Sequence, residues 1–289
     1  MPAAKTVSQN IVEEAQHFDS KADHLMLRTV ISASFAADIG IMKNPRTVSA
    51  VAHNVSQVVE SISKQGNLPL TLGGDHSLAL GTLAGTLRAR PETGIIWVDA
   101  HSDINTPETT ESGNLHGCPV SFLLGLQGTD VEPFNKWLPP RDSPILKPES
   151  IVYIGLRDID AGERKILREN NIKCFSMHHV DRYGIGNVVE QALDHLNGGN
   201  QGKRSRPIHL SFDVDALDPT VAPSTGTPVR GGLTWREGHT ICEMLAETGC
   251  LVAVDLMEVN PSLMEKRDAE QTVAVGCSLI RSALGETLL

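Results

Sequence analysis

The sequence predicts an α/β protein built on a doubly wound, mostly parallel sheet with helices on both faces. Short β-branched runs recur at residues 68–72, 94–98, 151–156, 172–176, 208–212 and 250–254. These runs are almost continuously apolar rather than alternating, as strands covered on both faces require. Helical patterns separate them, so successive strands should be joined by right-handed crossovers. A chain of 289 residues, 40% hydrophobic and 21% charged, is long enough to bury a sizeable core around such a sheet. No shift of composition marks a boundary, and residues 1–289 are expected to form a single domain.

The elements follow in order. Residues 1–38 predict none. Asn44 and Pro45 supply an N-cap and a first helical position. Val48, Val51, Val55, Val58 and Ile62 then form an apolar stripe, and Gly66 ends the helix. Residues 124–149 carry Pro133, Pro139, Pro140, Pro144 and Pro148 and read as a long surface excursion. Ile185, Val188, Val189, Ala192, Leu193 and Leu196 make a second helical stripe. Thr234 and Glu237 form a T-x-x-E capping box for a helix running to about Thr248, and a last helix is expected over 269–284.

Charge and cysteine usage exclude several function classes. Acids outnumber bases 35 to 25, giving a net charge of −10. Such a surface repels phosphate backbones and anionic lipid, so neither nucleic acid nor membrane is an expected partner. The 5 cysteines are scattered and never form a CxxC pair, which fits free thiols in a reducing compartment. No run approaches the roughly 18 apolar residues of a membrane span. Glu13, Glu14, Asp19 and Asp23 are unlike a secretory or mitochondrial leader, so a cytoplasmic location is expected.

In an open parallel sheet, ligands bind outside the carboxyl ends of the strands. The predicted strand ends lead into Gly73-Gly74-Asp75-His76, Asp99-Ala100-His101-Ser102-Asp103, Asp213-Val214-Asp215 and Asp255-Leu256-Met257-Glu258. Spacing of two puts Asp99, His101 and Asp103 on one side of an extended segment, and likewise Asp213 and Asp215. Taken singly, a D-x-D is a solvated strand end and a histidine after Gly-Gly-Asp a helix cap. Three such motifs at three strand ends of one sheet point instead to a shared site. Four converging aspartates repel one another, and neither motif contains a Lys or Arg to relieve this. Two divalent cations would. Imidazoles and carboxylates without thiolate make a hard donor set, suited to octahedral Mn²⁺ more than to structural zinc. Paired ions of this kind activate water, so the residues themselves predict metal-assisted hydrolysis.

These segments resemble the signatures of the ureohydrolase family, most closely the arginases. The resemblance rests on Leu72-Gly73-Gly74-Asp75-His76-Ser77, Val98-Asp99-Ala100-His101-Ser102-Asp103 and Ser211-Phe212-Asp213-Val214-Asp215. It extends to Asp103-Ile104-Asn105-Thr106-Pro107 and Ser112-Gly113-Asn114-Leu115-His116-Gly117, similar to the arginase substrate loop. The end of the chain, 277–289, is similar to that of fungal arginases, and the resemblance covers roughly residues 39–289. It implies conversion of L-arginine to L-ornithine and urea by a metal-bridging hydroxide, within arginine metabolism and the urea cycle. Two Mn²⁺ per chain would be held by His76, Asp99, His101, Asp103, Asp213 and Asp215, with Asp99 and Asp213 bridging. Catalytic roles fall to Asp103, which would accept a hydrogen bond from the hydroxide, to His116 as proton donor to the departing amine, and to Glu258 as guanidinium anchor. Thr227 would orient the guanidinium end, Asn105, Ser112 and Asn114 would bind the α-carboxylate, and Asp160 would pair with the α-amino group. Asp160 could equally cap the helix containing Glu163. Family members commonly form homotrimers, and Arg236 and Glu237 match positions at that interface. The family also begins with a strand leading into a G-G-V-x-x-G-P type segment; residues 1–38 contain no such motif, so that strand is expected to be missing. Two other readings remain: a catalytically impaired ureohydrolase-like binding or regulatory protein, and an agmatinase-type guanidino hydrolase.

Overall fold

The computed structural model describes residues 38–198 and 205–286. The region of the family's N-terminal strand therefore lies outside the described residues. Six strands form one sheet: β1 (Leu70–Leu72), β2 (Gly94–Val98), β3 (Ile151–Leu156), β4 (Lys173–Ser176), β5 (Ile208–Asp213) and β6 (Leu251–Met257). All pair in parallel, in the order β1-β6-β5-β2-β3-β4. Every residue of β2, β3 and β5 is buried, which is why their sequences lack alternation.

Helices cover both faces. On one lie α1 (Pro45–Lys64), α2 (Ala79–Ala89), α3 (Pro119–Leu123) and α4 (Ala161–Glu169). On the other lie α5 (Met177–Tyr183), α6 (Ile185–Leu196), α7 (Trp235–Glu247) and α8 (Lys266–Ala283). The pleat divides the strand side chains between two cores. Ile96, Val98, Val152 and Ile154 join one, and Ile95, Trp97, Ile151 and Tyr153 the other. The chain runs outward from β2 through β3 to β4, then returns to β5 on the opposite side of β2. The carboxyl ends of β2 and β5 therefore lie side by side, with Val98 opposite Phe212. A crevice at such a switch point is where this kind of sheet binds ligands.

Several expectations are corrected. The buried face of α1 is Ser49, Ala52, Ser56, Val59 and Ser63, not the stripe through Val48, Val51, Val55, Val58 and Ile62, whose members are half-buried. Close helix approach selects the small residues. A Cβ on Gly81 would come within 2.4 Å of the Ala52 carbonyl, and one on Gly85 within 2.6 Å of the Ser56 carbonyl. Asn44 precedes α1 in the left-handed region, φ 49°, and makes no side-chain cap. Strand β6 runs on through Met257, so Asp255 belongs to the strand rather than to the loop after it. The 124–149 excursion is not merely superficial: Phe134 and Leu146 are fully buried. The Arg88 guanidinium lies over Trp137, and the Trp137 indole donates to Ser49 Oγ at 2.9 Å. The capping box of Thr234 and Glu237 opens α7 as the sequence predicts.

A bulky side chain at the α1–α2 contact must separate the two backbones. Gly85→Leu is expected to lower unfolding free energy by about 2–3 kcal/mol. Denaturant melts of the variant and parent would measure this, and equal midpoints would show that the contact is not close-packed.

Candidate metal centre

Four adjacent strands deliver the candidate residues to one edge of the sheet. His76 follows β1, Glu258 follows β6, Asp213 ends β5 and Asp215 lies in the 3-10 turn after it, and Asp99, His101 and Asp103 follow β2. His76 Nδ1 lies 3.0 Å from Asp213 Oδ2, 3.2 Å from Asp99 Oδ2 and 3.4 Å from Asp103 Oδ2. His101 Nδ1 lies 3.1 Å from Asp215 Oδ2 and 3.5 Å from Asp99 Oδ1. Two groups of ligand atoms result, His76–Asp99–Asp213 and Asp99–His101–Asp215, each within a 4.8 Å span and sharing Asp99. Asp103 adjoins the first group through His76 without belonging to either.

Neighbouring side chains and amides hold this arrangement. The Trp97 indole donates to Asp99 Oδ2 at 2.8 Å and stacks on the His76 ring at 4.1 Å. Ser211 Oγ stands 2.9 Å from His76 Nε2. The His101 amide donates to Asp99 Oδ1, and the Asp215 amide to Asp213 Oδ1. Neither Trp97 nor Ser211 is singled out by its residue type, yet each lies two residues before a ligand and so on the same face of its strand.

The electrostatics are those of a buried carboxylate cluster with two imidazoles set among its acids. Burial pushes the Asp103, Asp213 and Asp215 carboxyls up, and neighbouring carboxylates push them further. Burial also raises Asp99, but hydrogen bonds from His101 and His76 overcome this and hold it below the usual carboxylate range. Burial would lower His76, yet the Asp99, Asp103 and Glu258 carboxylates bring it up to about 9. His101, against Asp215 and Asp99, is raised to about 12. Without metal, the site therefore compensates its acids with protons. Four buried aspartates and two imidazoles, with no thiolate in either group, fit a pair of hard divalent cations.

Glu258 and His116 come together beside this centre, joined by Asp75, which received no role from the sequence. Glu258 holds φ 62°, its amide donates to the Gly74 carbonyl, and its Oε1 accepts from the His76 amide at 2.7 Å. Asp103, at φ 49°, is likewise left-handed. For a non-glycine residue that conformation costs about 1–2 kcal/mol. Thr227 Oγ1 donates to Asp215 Oδ2 at 3.0 Å, so this hydroxyl adjoins the metal cluster. A Cβ on Gly226 would stand 3.6 Å from Glu258 Oε2, so the same segment passes Glu258.

Asp160 has both oxygens engaged. Oδ1 accepts from the Glu163 amide at 2.8 Å in a capping box that opens α4, and Oδ2 accepts from Asn105 Nδ2 at 2.7 Å. The Asn114 amide donates to Ser112 Oγ at 3.2 Å, and the Lys43 amide to the Gly113 carbonyl at 2.9 Å. Asn105, Ser112, Asn114 and His116 thus belong to one loop anchored from 43 and 160. Arg236 and Glu237 lie in the first turn of α7, away from these groups in the chain.

A parallel α/β sheet with two imidazole–carboxylate groups at its switch point is the framework of a metal-dependent hydrolase. Residues 2–285 match the arginase family, and the chain belongs to that family as an arginase-type hydrolase of linear amidines. It is 65% identical over 263 residues to the arginase of Glaciozyma antarctica, covering 90% of this chain and 74% of that one. It is 60% identical over 255 residues to the arginase of Neurospora crassa, covering 86% and 69%. The crystal structure of arginase from Bacillus cereus superposes with a TM-score of 0.83 at 35% identity, covering 98% of this chain and 91% of that one. The family match begins at residue 2, well before the 39–289 stretch that the motifs alone supported.

Metal uptake must displace the protons that the imidazoles and the raised carboxyls hold, so apparent affinity is expected to rise with pH through the neutral range. Calorimetric Mn²⁺ titrations in two buffers of different ionisation enthalpy would measure proton release. Identical heats in both buffers would contradict this picture.

Proposed function

We propose that the protein hydrolyses L-arginine to L-ornithine and urea with two Mn²⁺ held by His76, Asp99, Asp103, Asp213, His101 and Asp215. The observation that carries this reading is the pair of ligand groups sharing Asp99, with Glu258 and His116 adjacent. When bound, the ions supply an activated water and Lewis-acid stabilisation of developing charge. Glu258 receives the guanidinium, a planar forked cation that a carboxylate matches. Its oxygen bonded to the His76 amide fixes the carboxylate next to the metal ligands. Thr227 steadies the same end of the substrate. Asp103 takes up the proton released as water adds to the guanidinium carbon. The bond from that carbon to the side-chain nitrogen then breaks, and His116 delivers a proton to the leaving amine. Asn105, Ser112 and Asn114 recognise the α-carboxylate. Asp160 pairs with the α-amino group, and its bond to Asn105 steadies the carboxylate-binding loop.

The acidic surface and free thiols support a cytoplasmic protein, and no helix among the described residues is long and apolar enough to cross a membrane. A homotrimer with Arg236 and Glu237 at the subunit contact completes the proposal.

Urea release from the Mn²⁺-loaded protein, with L-arginine and agmatine assayed in parallel, tests it. Urea is expected from arginine alone and should be abolished by chelator. Urea from agmatine alone would establish the agmatinase-type reading. None from either, with metal bound and the fold intact, would leave a ureohydrolase-like binding protein. Glu258→Gln should reduce kcat/KM for arginine by at least about 100-fold. Asn114→Ala should cost about 10-fold or more with arginine and far less with agmatine. Equal loss on both substrates would overturn the carboxylate assignment.

A further inference from the structure

Arg157 follows β3 and carries no role in the reaction described above. Its guanidinium is half-buried and spreads over backbone carbonyls of three separate segments. Nε donates to Val229 at 3.2 Å, and Nη1 to Gly155 at 3.3 Å and Ala216 at 3.1 Å. Nη2 donates to Asp215 at 2.6 Å, Val229 at 2.8 Å and Leu217 at 3.3 Å. None of these partners is a carboxylate. The pocket is closed from the far side, since a Cβ on Gly232 would meet Nη2 at 2.6 Å. Desolvating a guanidinium is expensive, and neutral carbonyls offset that less well than an acid would. Burial holds the guanidinium below its ordinary pKa, and Asp215, Asp99, Asp218 and Asp213 offset only part of that pull.

What this fan grips is the back of one metal-ligand group. The Asp215 carboxylate faces His101 Nδ1 and the Thr227 hydroxyl, and its Oδ1 accepts from the Ala100 amide at 3.3 Å. Its own carbonyl, and the two that follow, are held by Arg157. The same guanidinium holds Val229, two residues beyond Thr227. The other group, His76–Asp99–Asp213, is braced differently, by Trp97 and Ser211.

We infer that Arg157 is a positioning residue for one half of the metal centre, fixing Asp215 in the Asp99–His101–Asp215 group and drawing the Thr227 segment against it. This rests on the reading of the two groups as paired cation sites. Lysine retains the charge but not the planar fork needed to span three segments, so Arg157→Lys separates geometry from charge. The wild-type chain is expected to take up two Mn²⁺. Arg157→Lys should bind one ion within about threefold of the wild-type affinity and the other at least about 10-fold more weakly. Its spin-coupled dimanganese resonance should appear only with excess Mn²⁺. Equal weakening of both ions, or of neither, in a folded variant would overturn the inference while leaving the metal reading intact. Uptake of fewer than two ions by the wild-type chain would overturn both. Hydrogen exchange on wild-type protein keeps the question answerable if the variant does not fold. The amides of Leu217, Asp218 and Leu233, which bond within this segment, should be protected before metal is added; protection gained only with Mn²⁺ would count against Arg157 as the organiser.

Discussion

Four aspartates, two from the end of β2 and two from the end of β5, are buried within a few ångströms of one another. Like charges 4 Å apart cost about 4 kcal/mol at the effective dielectric typical near a protein surface. Much of the surrounding architecture answers that repulsion. Two imidazoles stand between the carboxylates, backbone amides point at Asp99, Asp213 and Asp215, and the Trp97 indole and Arg157 guanidinium approach from behind. The indole and the His101 and Asp215 amides serve carboxylates only two residues away, but His76, the Ala100 amide and Arg157 reach their partners through the strand order of the sheet. The fold is in this sense the scaffold for an otherwise unfavourable concentration of negative charge.

The parts legible in the sequence were those governed by short-range rules. Continuous apolar runs marked β2, β3 and β5 most clearly, because burial on both faces leaves no alternation to obscure them. The D-x-H-x-D and D-x-D motifs were legible by their donor types, although the extended geometry expected for them does not hold: Asp215 lies in the 3-10 turn Val214–Ala216 and Asp103 is left-handed. Helix α1 misled because the valine stripe is the stronger hydrophobic signal, whereas closeness of approach to Gly81 and Gly85 decided which face is buried. Such a preference for small residues depends on the partner helix, which no window of α1 reveals. Arg157 was invisible for a similar reason: its partners are carbonyls, which every residue possesses. The ambiguity at Asp160 was real, since its helix-capping oxygen and its bond to Asn105 coexist.

A second buried polar network lies deeper, below the metal centre. His209 on β5 bonds to Asp255 on β6 and to Thr86 on α2, and Thr82 also donates to Asp255. Together with the glycine contacts to α1, this leaves α2 fastened on opposite sides, by close packing on one and hydrogen bonds on the other. His76 stands just before that helix, in the short turn capped by Asp75. The rigidity of α2 is therefore transmitted to a candidate metal ligand over one turn of chain.

The strand order also constrains how the molecule is made. As the chain emerges from the ribosome, β2, β3 and β4 can pair successively, since each is the spatial neighbour of the next. Strand β1 has to wait. Its only strand partner among the described residues is β6, which is synthesised near the end. The acidic segment after β2 meanwhile exists without the β5 aspartates or Glu258. A nascent or truncated chain holds only fragments of the cation site, and premature metal capture is limited to those weak fragments. Assembly of the candidate ligands thus coincides with closure of the sheet, because β1, which leads into His76, finds its strand partner only when β6 has been made.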